Sequence, residues 1–300
     1  MAKARALDKR RRSIQNIRKI TRTMELVATA QFRRAMERAL AANAYTERIA
    51  ALVGDLARAG LKVTHPLLEE RPGQKSTALL VLTANRGMCG GYNSAILRMA
   101  HKRLDELKAG GQSVWHMVSG NRGASYMKYR EIPVNEFFNQ FDHRPLFEQV
   151  NVVAEGLLTS YLAGKIDRVE VVYTRFISLT KQYATIETLL PLSELANAQS
   201  TEGETVSGQP GKKGQVDYEF LPSPESILEE VVPMAFKMKL FKCFLDAAVS
   251  EQVARRTAMK AATDNADSMI SILTTTYNRA RQSQITNEII EVVSGASAMK

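Results

Sequence analysis

Between Met234 and Ser294 the chain contains neither glycine nor proline, and none occurs between Lys3 and Val53. Those are the two residue types that most reliably break a helix, one through backbone freedom and the other through a missing donor and a ring clash. Each tract can therefore run as one uninterrupted helix. At ~1.5 Å of rise per residue they predict rods of roughly 90 Å and roughly 75 Å. A domain made from the ~150 residues between them would be only about 35–40 Å across. The rods are expected to project beyond it and to reach into something else.

Apolar spacing says how the rods bury themselves. Ile14, Ile17, Thr21, Met24, Ala28, Gln31, Ala35, Ala42, Tyr45, Ile49, Leu52 and Leu56 recur at intervals of three and four. Leu228, Val231, Ala235, Met238, Leu245, Ala248, Gln252, Met259, Ala266, Ile270, Leu273, Tyr277 and Ala280 keep the same rhythm. Both are coiled-coil seams. Ser223-Pro224-Glu225 supplies a cap and a first-turn proline for the second helix. One helix ends at the middle domain and the other starts there, so pairing makes them antiparallel. Two rods in separate bundles would be the alternative. Alanine, threonine, glutamine and Arg256 on the stripe bury little apolar area, which suits a wetted or mobile contact. After Glu291 no charge occurs until Lys300, and Ile289, Ile290, Val292, Val293, Ala296 and Ala298 make an apolar tip. An exposed apolar helix end reads as an association site.

The middle alternates strand and helix. Thr77–Thr83 is a continuous apolar run suited to a buried parallel strand. The turn Ala84–Gly91 follows, then a helix to about Lys108, a strand Ser113–Ser119 and the turn Gly120–Gly123. Further strands are expected at Pro133–Phe138, Arg168–Ile177 and Tyr183–Pro191, with a helix over Leu146–Ala163. Right-handed crossovers make this a small Rossmann-like sheet. The fold class is α/β: a long antiparallel coiled coil of the terminal helices plus a small Rossmann-like α/β domain. The expected segments are an N-terminal coiled-coil helix (1–60), the α/β domain (75–195), a flexible loop (196–216) and a C-terminal coiled-coil helix (223–300). The loop is rich in Gly, Ser, Thr and Gln.

Composition narrows the class. With 45% hydrophobic and 24% charged residues the chain is globular rather than disordered. No apolar run approaches ~20 residues, so no membrane-spanning helix is expected. The start lacks the apolar core of a secretory signal. Its arginines resemble a transit peptide, but Asp8 and the smooth continuation into helical spacing argue against one. Cys89 and Cys243 have no partner spacing, which fits a reducing compartment. The formal charge of +10 calls for an acidic partner. Lys3, Arg5, Lys9, Arg10, Arg11, Arg12, Arg18, Lys19 and Arg22 crowd the first helix. A solvated face, nucleic acid and an acidic protein surface all remain open on charge alone.

The glycines of the first turn, Gly87-Met88-Cys89-Gly90-Gly91, match neither the dinucleotide fingerprint nor the P-loop. Tight-turn duty explains them better. Cys89 has no linked histidine, and His65, His101, His116 and His143 are isolated. No catalytic residues, cofactor site or metal site is expected.

Four stretches carry a resemblance. Gln15–Ala35 (QNIRKITRTMELVATAQFRRA), Asn85–Asn93 (NRGMCGGYN), Ala258–Ala266 (AMKAATDNA) and above all Ile285–Ala296 (ITNEIIEVVSGA) are similar to the gamma subunit of F-type ATP synthase. The resemblance runs nearly end to end and in order. Asn85 stands where that family commonly has an acidic residue, which leaves the hydrogen bonding of the turn open. The 196–215 stretch holds no cysteine, so the thiol switch of the chloroplast form is absent.

The resemblance implies a rotary central stalk without an active site of its own, one copy per complex. Its partners would be the alpha and beta subunits of the catalytic ring, the epsilon subunit and the ring of c subunits, with no nucleic acid. Its place would be peripheral, on the cytoplasmic face of the bacterial inner membrane. An asymmetric shaft contacts three identical sites differently and so couples proton flow to nucleotide affinity. Candidate contact residues are Arg255, Arg256 and Lys260 toward acidic loops of beta, for which ordinary solvated charge is the alternative. Arg279, Arg281, Gln282, Thr286 and Glu288 are candidates for a polar catch with the ring. Met24 is a packing position where an added charge would disturb coupling. A basic coiled-coil nucleic-acid binder and a small Rossmann enzyme are the rival readings.

Overall fold

A computed structural model describes residues 2–58, 65–69, 71, 73, 75–142, 144–192 and 224–298. The loop expected at 196–216 and the Ser223 cap lie outside the described residues, as do the side chains of Tyr45, Ile49, Leu52, Leu56 and Leu228. The elements in order are α1 (Ala2–Arg58), β1 (Ser76–Leu82), α2 (Tyr92–Ala109), β2 (Ser113–Ser119), α3 (Asn121–Tyr129), β3 (Glu136–Phe138), α4 (Phe147–Leu162), β4 (Arg168–Phe176), β5 (Gln182–Leu190) and α5 (Pro224–Ala298). The chain divides into two compact units. One comprises Met1–Ala30, Met88–Gly90 and Val253–Lys300; the other comprises Gln31–Gly87 and Gly91–Gln252.

The larger unit is built on a sheet of order β3-β2-β1-β4-β5, parallel except for β5, which runs antiparallel to β4. The apolar run of β1 and the neighbouring β4 sit at its centre, buried on both faces over most of their length, as strands under crossover helices must be. Residues alternate between the faces. Leu80, Leu82, Val171 and Tyr173 join Val150, Leu157 and Tyr161 of α4 and Val232, Phe236 and Leu240 of α5 in one cluster. Toward the other face, Arg103 of α2 binds Glu170 of β4 through Nε at 2.8 Å and Nη2 at 2.7 Å. Glu170 is almost wholly buried, and Arg168 adds a second cation at 3.0 Å. A buried carboxylate is tolerable because it is paired on both sides.

Pro233 lies inside α5. Its missing N–H and its ring would break an isolated helix. Here Val232, Phe236 and Leu240 are fully buried around it, and packing outweighs propensity. Two boundaries in the middle domain differ from expectation by more than one residue. β3 has only Glu136–Phe138, not Pro133–Phe138: Pro133 has no N–H to give, and the His116 amide donates to the Asn135 side chain instead of to a backbone carbonyl of the lead-in. The helix after the second turn begins at Asn121, inside the Gly120–Gly123 segment.

Near the carboxyl end of β1 the crevice that a Rossmann-type sheet offers to phosphates is occupied by the chain itself. At the start of α3, Asn121 N donates to Asn85 Oδ1 (3.1 Å), Arg122 N to Ala84 O (3.1 Å) and Gly123 N to Thr83 Oγ1 (2.9 Å). Gly120 has φ of 98°, and a Cβ there would lie 2.2 Å from Thr83 O. Only glycine fits.

Candidate functional site

The smaller unit pairs the first half of α1 with the second half of α5. Helix residues facing a partner across a seam must be small or apolar, and here they are small and partly polar. Thr21, Ala28, Met259, Thr263 and Ala266 are buried. Thr263 Oγ1 donates to Thr21 Oγ1 at 2.8 Å, and Thr21 Oγ1 is 3.1 Å from Arg18 O. Both hydroxyls are thereby satisfied in a seam with little apolar area. At its edge Arg18 forms an ion pair with Asp267, and Arg11 lies over the ring of Tyr277 at 5.1 Å. The rising numbers on one helix match falling numbers on the other, so the pair is antiparallel. Thr263 is absent from the seam positions given by the sequence, although it completes the four-three spacing between Met259 and Ala266. Ile17 is among them, yet it is 46% exposed and belongs to the flank of α1 instead.

The candidate contact residues spread along this unit. Met24 is half-buried beside the seam. Arg255 and Arg256 are half-buried, and Lys260 is exposed on the next turn. Arg279 and Glu288 line a groove of about 710 Å³ together with Ala4, Leu7, Asn287 and Glu291. That groove was not legible in the sequence, because Ala4 and Leu7 come from the other end of the chain. Arg281, Gln282 and Thr286 lie outside it and are exposed. Gln284 Nε2 donates to Glu288 Oε1 at 2.8 Å, and Thr286 Oγ1 donates back to Gln282 O at 3.0 Å.

Beyond Arg281 the helix stands almost free. Every residue from Ile285 to Ser297 is exposed, with Ile285 at 45%, Ile289 at 58% and Val292 at 71%. Ile285, Ile289, Ile290, Val292 and Val293 are not buried by any described residue of this unit. Fifteen Lys and Arg against six Asp and Glu in the sequence of this unit leave it a net +9 of the chain's +10. Such an arrangement holds surfaces for a macromolecule, cationic along the shaft and apolar at the tip.

Comparison with known proteins bears directly on this geometry. Residues 3–299 match the family model described as ATP synthase. The ATP synthase gamma chain of Rhodopirellula baltica is 57% identical over 301 residues, covering 100% of each chain. That of Nocardia farcinica is 35% identical over 316 residues, covering 100% of this chain and 98% of its own. A chain in the OSCP/F1/c-ring structure of the Euglena gracilis mitochondrial ATP synthase shares the fold at a TM-score of 0.65. It is 18% identical, with 99% of this chain and 95% of that chain covered.

Proposed function

The chain belongs to the ATP synthase gamma-chain family, and from that premise we propose how its own residues do the work of a central stalk. Members of the family are rotor subunits of the F-type complex, associated with the catalytic ring and the c ring. The chain is a subunit of that membrane-associated complex rather than an enzyme in itself. No helix among the described residues is long and apolar enough to cross a membrane.

One copy stands in each complex, on the cytoplasmic face of the bacterial plasma membrane, with epsilon beside the α/β domain. Helices α1 and α5 form the shaft within the ring of alternating alpha and beta subunits. Arg255, Arg256 and Lys260 attract acidic loops of beta, and Arg279, Arg281, Gln282, Thr286 and Glu288 make a polar catch. Each beta site binds nucleotide with an affinity that depends on the shaft angle. That dependence is a coupling free energy between the proton path and the catalytic sites, and it is reciprocal. Proton flow therefore turns the shaft toward synthesis, and hydrolysis turns it back.

The observation that carries this reading is the free, apolar end of α5, exposed from Ile285 to Ser297 at the end of a 75-residue helix. A helix of that kind requires a sleeve. Co-expression of the untagged chain with its alpha and beta subunits tests it. Alpha and beta are expected at three copies each per chain, and the chain alone is expected to lack ATPase activity. Purification with DNA or a nucleotide cofactor instead would favour one of the rival readings. Within the assembled complex, Met24→Lys is expected to spare ATP hydrolysis while proton pumping falls. Equal loss of both activities would remove Met24 from the coupling path.

A further inference from the structure

In the larger unit three separate parts of the chain enclose an apolar trough of about 460 Å³. Arg38 and Ala41 come from α1, Leu146 and Phe147 from the entry to α4, and Met238 and Phe241 from α5. Phe147 and Phe241 meet edge to face, with ring centroids 5.5 Å apart and an interplanar angle of 86°. Met234, one turn before Met238, also lines the trough, and the unbranched thioethers of the two adapt to what lies against them. The small side chain of Ala41 leaves the space unfilled. Leu146 is 43% exposed and Met234 37%, so the trough is open to solvent.

Charge decides what kind of molecule fits there. Arg38 is the one charged residue of the lining. It is half-buried, and its side chain makes no hydrogen bond or ion pair with a described residue. Beside apolar walls its field is screened less than it is in bulk water. The planar guanidinium fork matches a carboxylate in particular. Arg144, immediately before Pro145 of the lining, is a second, exposed cation, while the adjoining acids Glu37 and Glu148 are themselves exposed. Size then separates a small ligand from a protein partner. The lining has nine residues, against roughly 20–30 a side in a stable protein interface. Its volume lies within the roughly 300–1,000 Å³ of small-ligand sites.

We propose that this trough binds a small amphiphilic carboxylate of the free fatty-acid class. Its anion lies on the Arg38 guanidinium, and its hydrocarbon chain lies between Phe147, Met238 and Phe241. The site goes beyond the central-stalk reading and does not depend on it, because none of its lining residues is a contact candidate of the shaft. An occupant touches α1, the entry to α4 and α5 at once, and so ties together three stretches that are distant in sequence. A ligand held only by the folded chain raises its stability in proportion to the logarithm of occupancy.

The test titrates the full-length chain with decanoate, and separately with decanol, below the concentrations at which either aggregates. Calorimetry is expected to show saturable decanoate binding at one site per chain, with a rise in the unfolding midpoint. Arg38→Gln should weaken decanoate roughly tenfold, the loss of one charge-assisted contact, and leave decanol unchanged. Ala41→Trp fills the trough from an exposed helical position, so it should abolish binding of both while the helical circular dichroism is retained. A decanoate carrying a diazirine should label peptides that contain Phe147 or Met238. Binding that does not saturate would overturn the proposal, as would equal decanoate affinity in Arg38→Gln or undiminished binding in Ala41→Trp. Labelling concentrated on the apolar tip at Ile289–Val293 would overturn it as well.

Discussion

Thr263 Oγ1 donates to Thr21 Oγ1 at 2.8 Å, joining residues 242 positions apart across a seam that has few large side chains. Both residues are buried, at 5% and 9% exposure, so water does not substitute readily for either hydroxyl. A buried hydrogen bond contributes about 1 kcal/mol net, and a lost partner costs up to ~3 kcal/mol.

Thr263→Val and Thr21→Val keep the volume and remove the hydroxyls one at a time. Each is expected to lower stability by about 1 kcal/mol, and the double variant by little more than either. Thermal unfolding of the four chains gives the coupling directly. Strict additivity would show that the two hydroxyls do not act as a pair.

Asn85 uses both ends of its amide. Nδ2 donates to Asn139 O at 3.1 Å and Phe141 O at 3.0 Å, and Oδ1 accepts from Asn121 N. An aspartate would keep the acceptor and set its charge against two carbonyl oxygens. Asn85→Asp is therefore expected to lower stability by about 1–3 kcal/mol at neutral pH. An unchanged unfolding midpoint would mean that the segment after β3 re-forms around the carboxylate.

Asp246 is 4% exposed, and burial raises its carboxyl to about 6 against the attraction of Lys242 and Arg175. The folded state thus holds this proton more tightly than the unfolded one, whose carboxyl titrates near 3.8. Its contribution is most favourable below about pH 4 and is lost as pH rises through about 6. Asp246→Asn should stabilise the chain by roughly 1–3 kcal/mol at pH 7–8, with the gain shrinking toward pH 4. His116 has the opposite sign. Burial holds it below 6.5, so its share of stability is present above that pH and falls as the medium is acidified. Denaturant midpoints between pH 4 and 8 separate the two. A constant gain from Asp246→Asn across that range would refute the assignment.

Removal of Ile289–Lys300 deletes side chains that are exposed in the chain alone, among them Ile290 at 56% and Val293 at 59%. The isolated truncated chain should keep its helical circular dichroism and its unfolding midpoint. Burial in a sleeve would make each aliphatic group worth roughly 1.5–3 kcal/mol, so the truncated complex should dissociate on warming and pump less. Wild-type assembly and pumping would show that the tip is not a bearing.

Much of the architecture is legible because its causes are local or periodic. Strand β1 follows from an unbroken apolar run, β4 from a strand-like stretch interrupted by Glu170, and the bounds expected for Ser113–Ser119 are those the strand has. The seam positions Ala28, Ala35, Met259 and Ala266 follow from heptad spacing and are all buried. The contact surfaces are less legible. Arg279 and Glu288 belong to the C-terminal motif, but the groove they line is completed by Ala4 and Leu7, which carry no chemical signal. Ile17 fitted the spacing as well as Thr21 does, and spacing alone cannot tell a seam from the flank beside it.

By itself, then, the sequence determined where the helices run, which strands are central and that the charge gathers in the terminal segments. Helical hydrogen bonds close within four residues, and the absence of glycine and proline between Lys3 and Val53 and between Met234 and Ser294 leaves them nothing to stop at there. Pairings between distant residues were decided by tertiary structure alone. Thr263 meets Thr21, Asn85 meets Asn121 and Asn139, and Pro233 stays helical because Phe236 and Leu240 are buried beside it. Which side of α1 faces water depends on where α5 lies against it, and that is a property of two segments more than 200 residues apart.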